Sequence, residues 1–82
     1  MTISAQVAVY PLRQERLTPA VDAVQTVLTA KGLALEIGPM STMVTGEAGT
    51  VFAALGEAFE RAAAAGHVVM TITVSNACPV AV

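Results

Sequence analysis

Between Ile3 and Leu12 the chain reads ISAQVAVYPL, and this alternation constrains what the rest can fold into. Ile3, Ala5, Val7 and Val9 are apolar, while Ser4, Gln6 and Tyr10 between them carry hydrogen-bonding groups. Such a period of two is the pattern of a strand with one face on a core and the other free for chemistry. Pro11 closes the stretch because proline has no amide hydrogen to give to a ladder.

The later segments must supply this strand with neighbours and a cover. PLRQER is a short polar connection, and Thr18-Pro19 then predicts a helix start, with a hydroxyl at the cap and proline at the first helical position. The helix is expected to run to about Lys31, with Val21, Val24 and Leu28 on one stripe and Gly32 as its stop. Asp22 near its start and Lys31 near its end suit the helix dipole. Leu33 to Ile37 alternates again, with Leu33, Leu35 and Ile37 on one side and Ala34 and Glu36 on the other, until Gly38-Pro39 interrupts it. Ser41 to Thr45 is rich in β-branched residues and returns antiparallel as a third strand. Turn length sets whether Met43 or Val44 faces inward, and both phases stay open here. From about Gly49 to Ala65 the spacing lengthens to that of a helix, with Phe52, Leu55, Phe59 and Ala62 on its buried stripe and Gly66 as its stop. Gly56 in its middle costs up to about 1 kcal/mol against alanine, which points to a close approach by a neighbouring element. His67 to Ser75 forms a fourth strand, with Val68, Met70, Ile72 and Val74 on one face and Val69, Thr71 and Thr73 on the other.

The order β-α-β-β-α-β with right-handed crossovers predicts an α+β, ferredoxin-like domain spanning residues 1–82, a four-stranded antiparallel sheet with both helices on one face. The first strand is central in that arrangement. The face bearing Ser4, Gln6, Tyr10, Glu36, Thr71 and Thr73 has no helix over it and is left for water, a ligand or a second sheet.

Totals narrow the function classes. A chain of 82 residues makes one small core. Charged residues are 12% of it, against about 25% in an average globular domain, so part of the surface is expected to be covered by another copy. Arg13, Arg16, Lys31 and Arg61 form no basic stripe, and the net charge is -2, which argues against nucleic acid. No apolar run reaches the roughly 18 residues of a membrane span, and MTISAQ lacks the features of a signal peptide, so the expectation is a soluble cytoplasmic protein without membrane contact. Cys78 is the single cysteine and His67 the single histidine, too few for a structural zinc site.

Two stretches together, ISAQVAVYPL and EIGPMSTMVTGE, resemble the small thiamine-binding proteins of the YkoF-like family, which are ferredoxin-like domains that bind thiamine or its hydroxymethylpyrimidine part. The helix opening TPAVDAV and the closing HVVMTITV sit at the family's spacing, so the likeness covers roughly residues 3 to 74. It implies a site on the strand carrying Gln6 and Tyr10 and on the turn from Pro39 to Thr42. A ligand of this kind sets requirements that residues can meet. An aminopyrimidine edge offers a donor and an acceptor, which Gln6 can answer with its own acceptor and donor. The flat ring needs a platform, for which Tyr10, Pro39 and Met40 are candidates, with Ser41 and Thr42 beside them. The thiazolium is a permanent cation that Glu36 or Glu47 can neutralise.

Each residue also has a plainer role to set against this one. Gln6 suits a solvated strand, Tyr10 a strand-end rim, Gly38-Pro39 a turn, and Glu36 an exposed position. A nucleophile needs a base within reach and the base an orienting partner, and one histidine with one cysteine do not supply them. The expectation is therefore a non-catalytic binding protein without a cofactor, its ligand-binding residues Gln6, Tyr10, Glu36, Pro39, Met40, Ser41 and Thr42. The competing classes are an oligomeric regulatory module for amino acids or another metabolite, and a small cofactor-free dimeric enzyme. An RNA-binding sheet would need stacking aromatics, and Tyr10 alone does not make that platform. Self-association into a dimer or tetramer is expected, either by packing of two uncovered sheet faces or by pairing of edge strands.

Overall fold

The computed structural model describes residues 1–12, 18–38, 41–64 and 66–77. Its elements are β1 (Thr2–Pro11), α1 (Thr18–Ala30), β2 (Ala34–Ile37), β3 (Thr42–Glu47), α2 (Ala48–Ala63) and β4 (Val68–Ser75). The strands form one antiparallel sheet in the order β2-β3-β1-β4, which is the ferredoxin-like arrangement with β1 inside it.

Alternation along β1 does what its pattern requires. Ile3, Ala5 and Val7 are buried against the helices, and register places Val44 of β3 beside Ala5 and Leu35 of β2 beside Val44. The phase of β3 is thereby settled, with Thr42 and Val44 inward and Met43 on the open face. Helix α1 contributes Ala20, Val24, Val27 and Leu28 to this core, so its buried stripe is centred slightly off Val21, which is half-buried. Each fully buried Val or Leu contributes about 1.5–3 kcal/mol. The capping role expected of Thr18 falls on a side chain outside the described residues. At the other end the chain leaves α1 through Gly32, whose φ of 73° is in the left-handed region and whose N–H donates to Thr29 O at 3.0 Å.

Helix α2 departs from expectation. Its buried residues are Val51, Ala54, Leu55, Ala58 and Ala62, whereas Phe52 and Phe59 are 54% and 41% exposed. The buried stripe is turned part of the way toward the preceding residues, with Val51 and Ala58 in the inward places expected of Phe52 and Phe59. Three alanines on the inward face let α2 lie close to the sheet and α1, a position that phenylalanine bulk would prevent. Leu55 and Ala62 are inward as expected. Gly56 is exposed and a Cβ built there meets nothing within 4 Å, so no neighbour among the described residues approaches it. Gly46 is the glycine that close packing demands: its Cβ would stand 2.5 Å from Leu33 Cδ2 and 3.4 Å from Val51 Cγ2.

No loop separates β3 from α2. Glu47 ends the strand and caps the helix, its Oε1 accepting from Gly49 N at 2.8 Å and Thr50 N at 3.3 Å. The amino group of Met1 lies 3.6 Å from Glu47 Oε2, and Met1 O accepts from Ala48 N at 2.8 Å. These backbone donors, that of Thr50 foremost, favour the charged carboxylate and hold its pKa below the ordinary 4.5. Lys31 Nζ meets Glu57 Oε1 at 3.1 Å between the two helices, an exposed pair worth about 0–1 kcal/mol. No helix among the described residues is long and apolar enough to cross a membrane.

Candidate functional site

The site arises where one ladder stops before the other. β1 pairs with β3 from Thr2 to Val7 and with β4 from Ser4 to Pro11. Beyond the Val7↔Thr42 pair, Ala8, Val9 and Tyr10 are flanked by β4 alone among the described strands. Gly38 and Ser41, between β2 and β3, stand beside this stretch, with Gly38 N donating to Ser41 O at 2.8 Å.

Two hollows meet there. One, of about 270 Å³, opens on the uncovered sheet face and is lined by Gln6, Ala8, Tyr10, Ser41, Thr71 and Thr73. The other, of about 250 Å³, lies on the helix side between β1 and α1, lined by Val7, Val9, Val21, Val24, Gln25, Gly38 and Thr42. Ala8, Tyr10 and Ser41 line both. The first is polar at its walls and the second mostly apolar, a combination suited to an amphipathic small molecule.

Within the open hollow, Gln6 Nε2 donates to Ser41 Oγ at 3.1 Å. That bond joins the central strand to the turn. It also orients the carboxamide, whose remaining N–H and carbonyl oxygen make an adjacent donor and acceptor. Tyr10 is 45% exposed at the rim, with its ring available as a wall. No lining residue of either hollow, among those described, carries a charge at neutral pH.

The sequence-predicted residues are distributed unevenly around this point. Gln6, Tyr10 and Ser41 are brought together in the open hollow, and Thr42, buried on the helix side, lines the inner one. Glu36 is on the open face, in a row with Met43, Gln6 and Thr73, but stands two strands from Gln6, roughly 10 Å away. It lines neither hollow. Glu47 is opposite Thr2, towards the far end of β1 from Tyr10, and its carboxylate is engaged in capping α2. Pro39 and Met40 lie outside the described residues. No cluster of three His, Cys, Asp or Glu with metal-binding geometry occurs among the described residues.

Sequence reading placed Thr71 and Thr73 on the correct face without assigning them to a site, and it passed over Gln25. The signal for Gln25 was present: it stands at i+4 from Val21 and beside Val24, an amide interrupting an apolar helix stripe. Ala8 gave no signal, because its role is to be small.

Comparison with known proteins bears on this geometry. No curated protein matches the chain. Among solved structures, a Streptococcus pneumoniae protein superposes with a TM-score of 0.89 at 23% identity, covering 100% of this chain and 93% of its own. A hypothetical protein from Methanocaldococcus jannascii gives 0.86 at 20% identity, with 95% and 82% covered. A Thermotoga maritima protein provisionally assigned to thiamine biosynthesis or salvage gives 0.81 at 19% identity, with 92% and 83% covered. At these identities the likeness is one of fold. The family model of thiamine-binding proteins matches residues 5–77, a span that holds β1 from Ala5 onward, both helices and every described residue of the two hollows, and so the chain belongs to the thiamine-binding protein family.

Proposed function

We propose that the protein binds thiamine or its hydroxymethylpyrimidine part, without turnover, in the hollows beside Tyr10. The observation that carries this reading is the meeting of Gln6, Ser41 and Tyr10 around one opening in a chain of the thiamine-binding family. The anchored Gln6 carboxamide suits the donor and acceptor edge of an aminopyrimidine, and the Tyr10 ring suits its flat face. Each hollow lies just below the roughly 300–1,000 Å³ range of ligand pockets, which favours a small heterocycle. Glu36, on the same face, contributes long-range attraction for the thiazolium cation rather than contact.

Binding without turnover is supported by the lining. Its described residues include no His, Cys, Asp or Glu that would move a proton near neutral pH. They include no Lys or Arg to pair with phosphate. Calorimetry with thiamine, the free pyrimidine alcohol and thiamine diphosphate tests the reading. The first two should bind and the diphosphate should bind more weakly; absence of heat from all three at millimolar concentration would refute it.

A further inference from the structure

Two polar side chains of the inner hollow have nothing in the fold to bond. Thr42, 7% exposed, reaches the hollow from β3, and the half-buried Gln25 reaches it from α1. Among the described residues neither side chain has a hydrogen-bond partner. A buried hydroxyl and an amide left in this way are costly in a wall otherwise made largely of Val7, Val9, Val21 and Val24, and a bound molecule with a polar end would satisfy them. Because the described wall carries no charge, a neutral end suits it best. An alcohol meets both demands, since a hydroxyl donates and accepts.

The inner hollow is also too small to act alone. It and the open hollow each lie just below the usual size of a ligand pocket, and together they fall within it. Ala8, Tyr10 and Ser41 line both, which places the join along β1 past the Val7↔Thr42 pair. Leu12 N donates to His67 O on the β4 side, so alternation along the ladder turns the N–H and C=O of Val9 to the opposite side, where no described strand continues. The Val9 carbonyl oxygen and the face of the Tyr10 ring thus both offer negative partial charge at the join.

We infer, resting on the thiamine reading, that a single ligand occupies both hollows with a neutral alcohol arm in the inner one, and that Gln25 and Thr42 recognise that alcohol. Each part of the vitamin then has a place. The aminopyrimidine lies in the open hollow against Gln6, the thiazolium passes the Tyr10 ring and the Val9 carbonyl, and the hydroxyethyl arm ends between Gln25 and Thr42. A ring face and a carbonyl hold the cation where the described lining has no carboxylate. The inner hollow also tells the free vitamin from its phosphate esters, because esterification would carry a charge in among the valines.

Calorimetry with thiamine, its analogue bearing ethyl in place of hydroxyethyl, and the pyrimidine alcohol separates these parts. On the wild type the ethyl analogue should bind about tenfold more weakly than thiamine, the equivalent of one to two hydrogen bonds. Gln25→Leu and Thr42→Val should each weaken thiamine by about three- to tenfold, narrow its lead over the ethyl analogue, and leave the pyrimidine alcohol unchanged. Thr42→Val keeps the branched shape, so it reads the hydroxyl even where Gln25→Leu disturbs the packing of α1. In methyl-labelled protein, nuclear Overhauser contacts should run from the hydroxyethyl protons to Val21 and Val24, and from the pyrimidine methyl to Thr71 and Thr73. Equal affinity for thiamine and the ethyl analogue, a difference that both variants retain, or a hydroxyethyl arm without contact to Val21 and Val24 would overturn the inference while leaving thiamine binding in place. Absence of binding by both thiamine and the pyrimidine alcohol would instead remove the functional reading, and this inference with it.

Discussion

Gln6 joins the central strand to Ser41 across the opening, and in the proposed binding mode the same amide also meets the ligand. Removing it takes away a donor and an acceptor at once but little buried surface, because the residue is exposed. Gln6→Ala should weaken binding of the pyrimidine alcohol by on the order of tenfold, the equivalent of about one to two hydrogen bonds, with little change in melting temperature. Titration calorimetry paired with a thermal melt checks both halves, and unchanged affinity would remove Gln6 from the site. Gln6 and Tyr10 were legible because a period of two fixes which face each occupies, and Ser41 because a Gly-Pro turn fixes where the next strand begins. Gln25 was not legible as a wall, since a half-buried amide on a helix looks like ordinary surface until the helix is docked.

Among the elements, α2 was the least accurately read. Aromatic bulk drew the inward stripe toward Phe52 and Phe59, yet the geometry of close helix packing rewards Ala54, Ala58 and Ala62. Its start, expected at about Gly49, falls at Ala48, but its cap was not foreseen: glutamate is not among the preferred capping residues, and nothing in the sequence shows that β3 runs directly into the helix. That junction predicts a pH dependence. Glu47 has a folded-state pKa below 4.5, so the stability it contributes is present above that value and is lost as pH falls through the lowered one. Thermal melts of wild type and Glu47→Gln should therefore differ at neutral pH and converge in acid; a gap that persists unchanged below the folded pKa would exclude Glu47 as the source. Gly56 supplies an opposite case. With open space around it and no positive φ, Gly56→Ala should stabilise the protein by about 0.5–1 kcal/mol, raising the melting temperature by a few degrees. A lower melting temperature would mean that the helix meets something there.

At the scale of the whole molecule, the topology followed from element order and the handedness of crossovers, which is why the sheet order was legible from so short a chain. The hollows were not, because they depend on where the β1–β3 ladder ends, and a one-residue change of register in β3 would have exchanged the faces of Ser41 and Thr42. The same central position of β1 has a consequence for how the molecule is made. Pro11 and Ser75 are sixty-four residues apart in sequence, and a ribosome adding about 5–20 residues per second separates them by roughly 3–13 s. This inner strand of the sheet thus leaves the ribosome before the other three and receives its second neighbour last, and during those seconds the alternating face of β1 has to be kept from foreign partners.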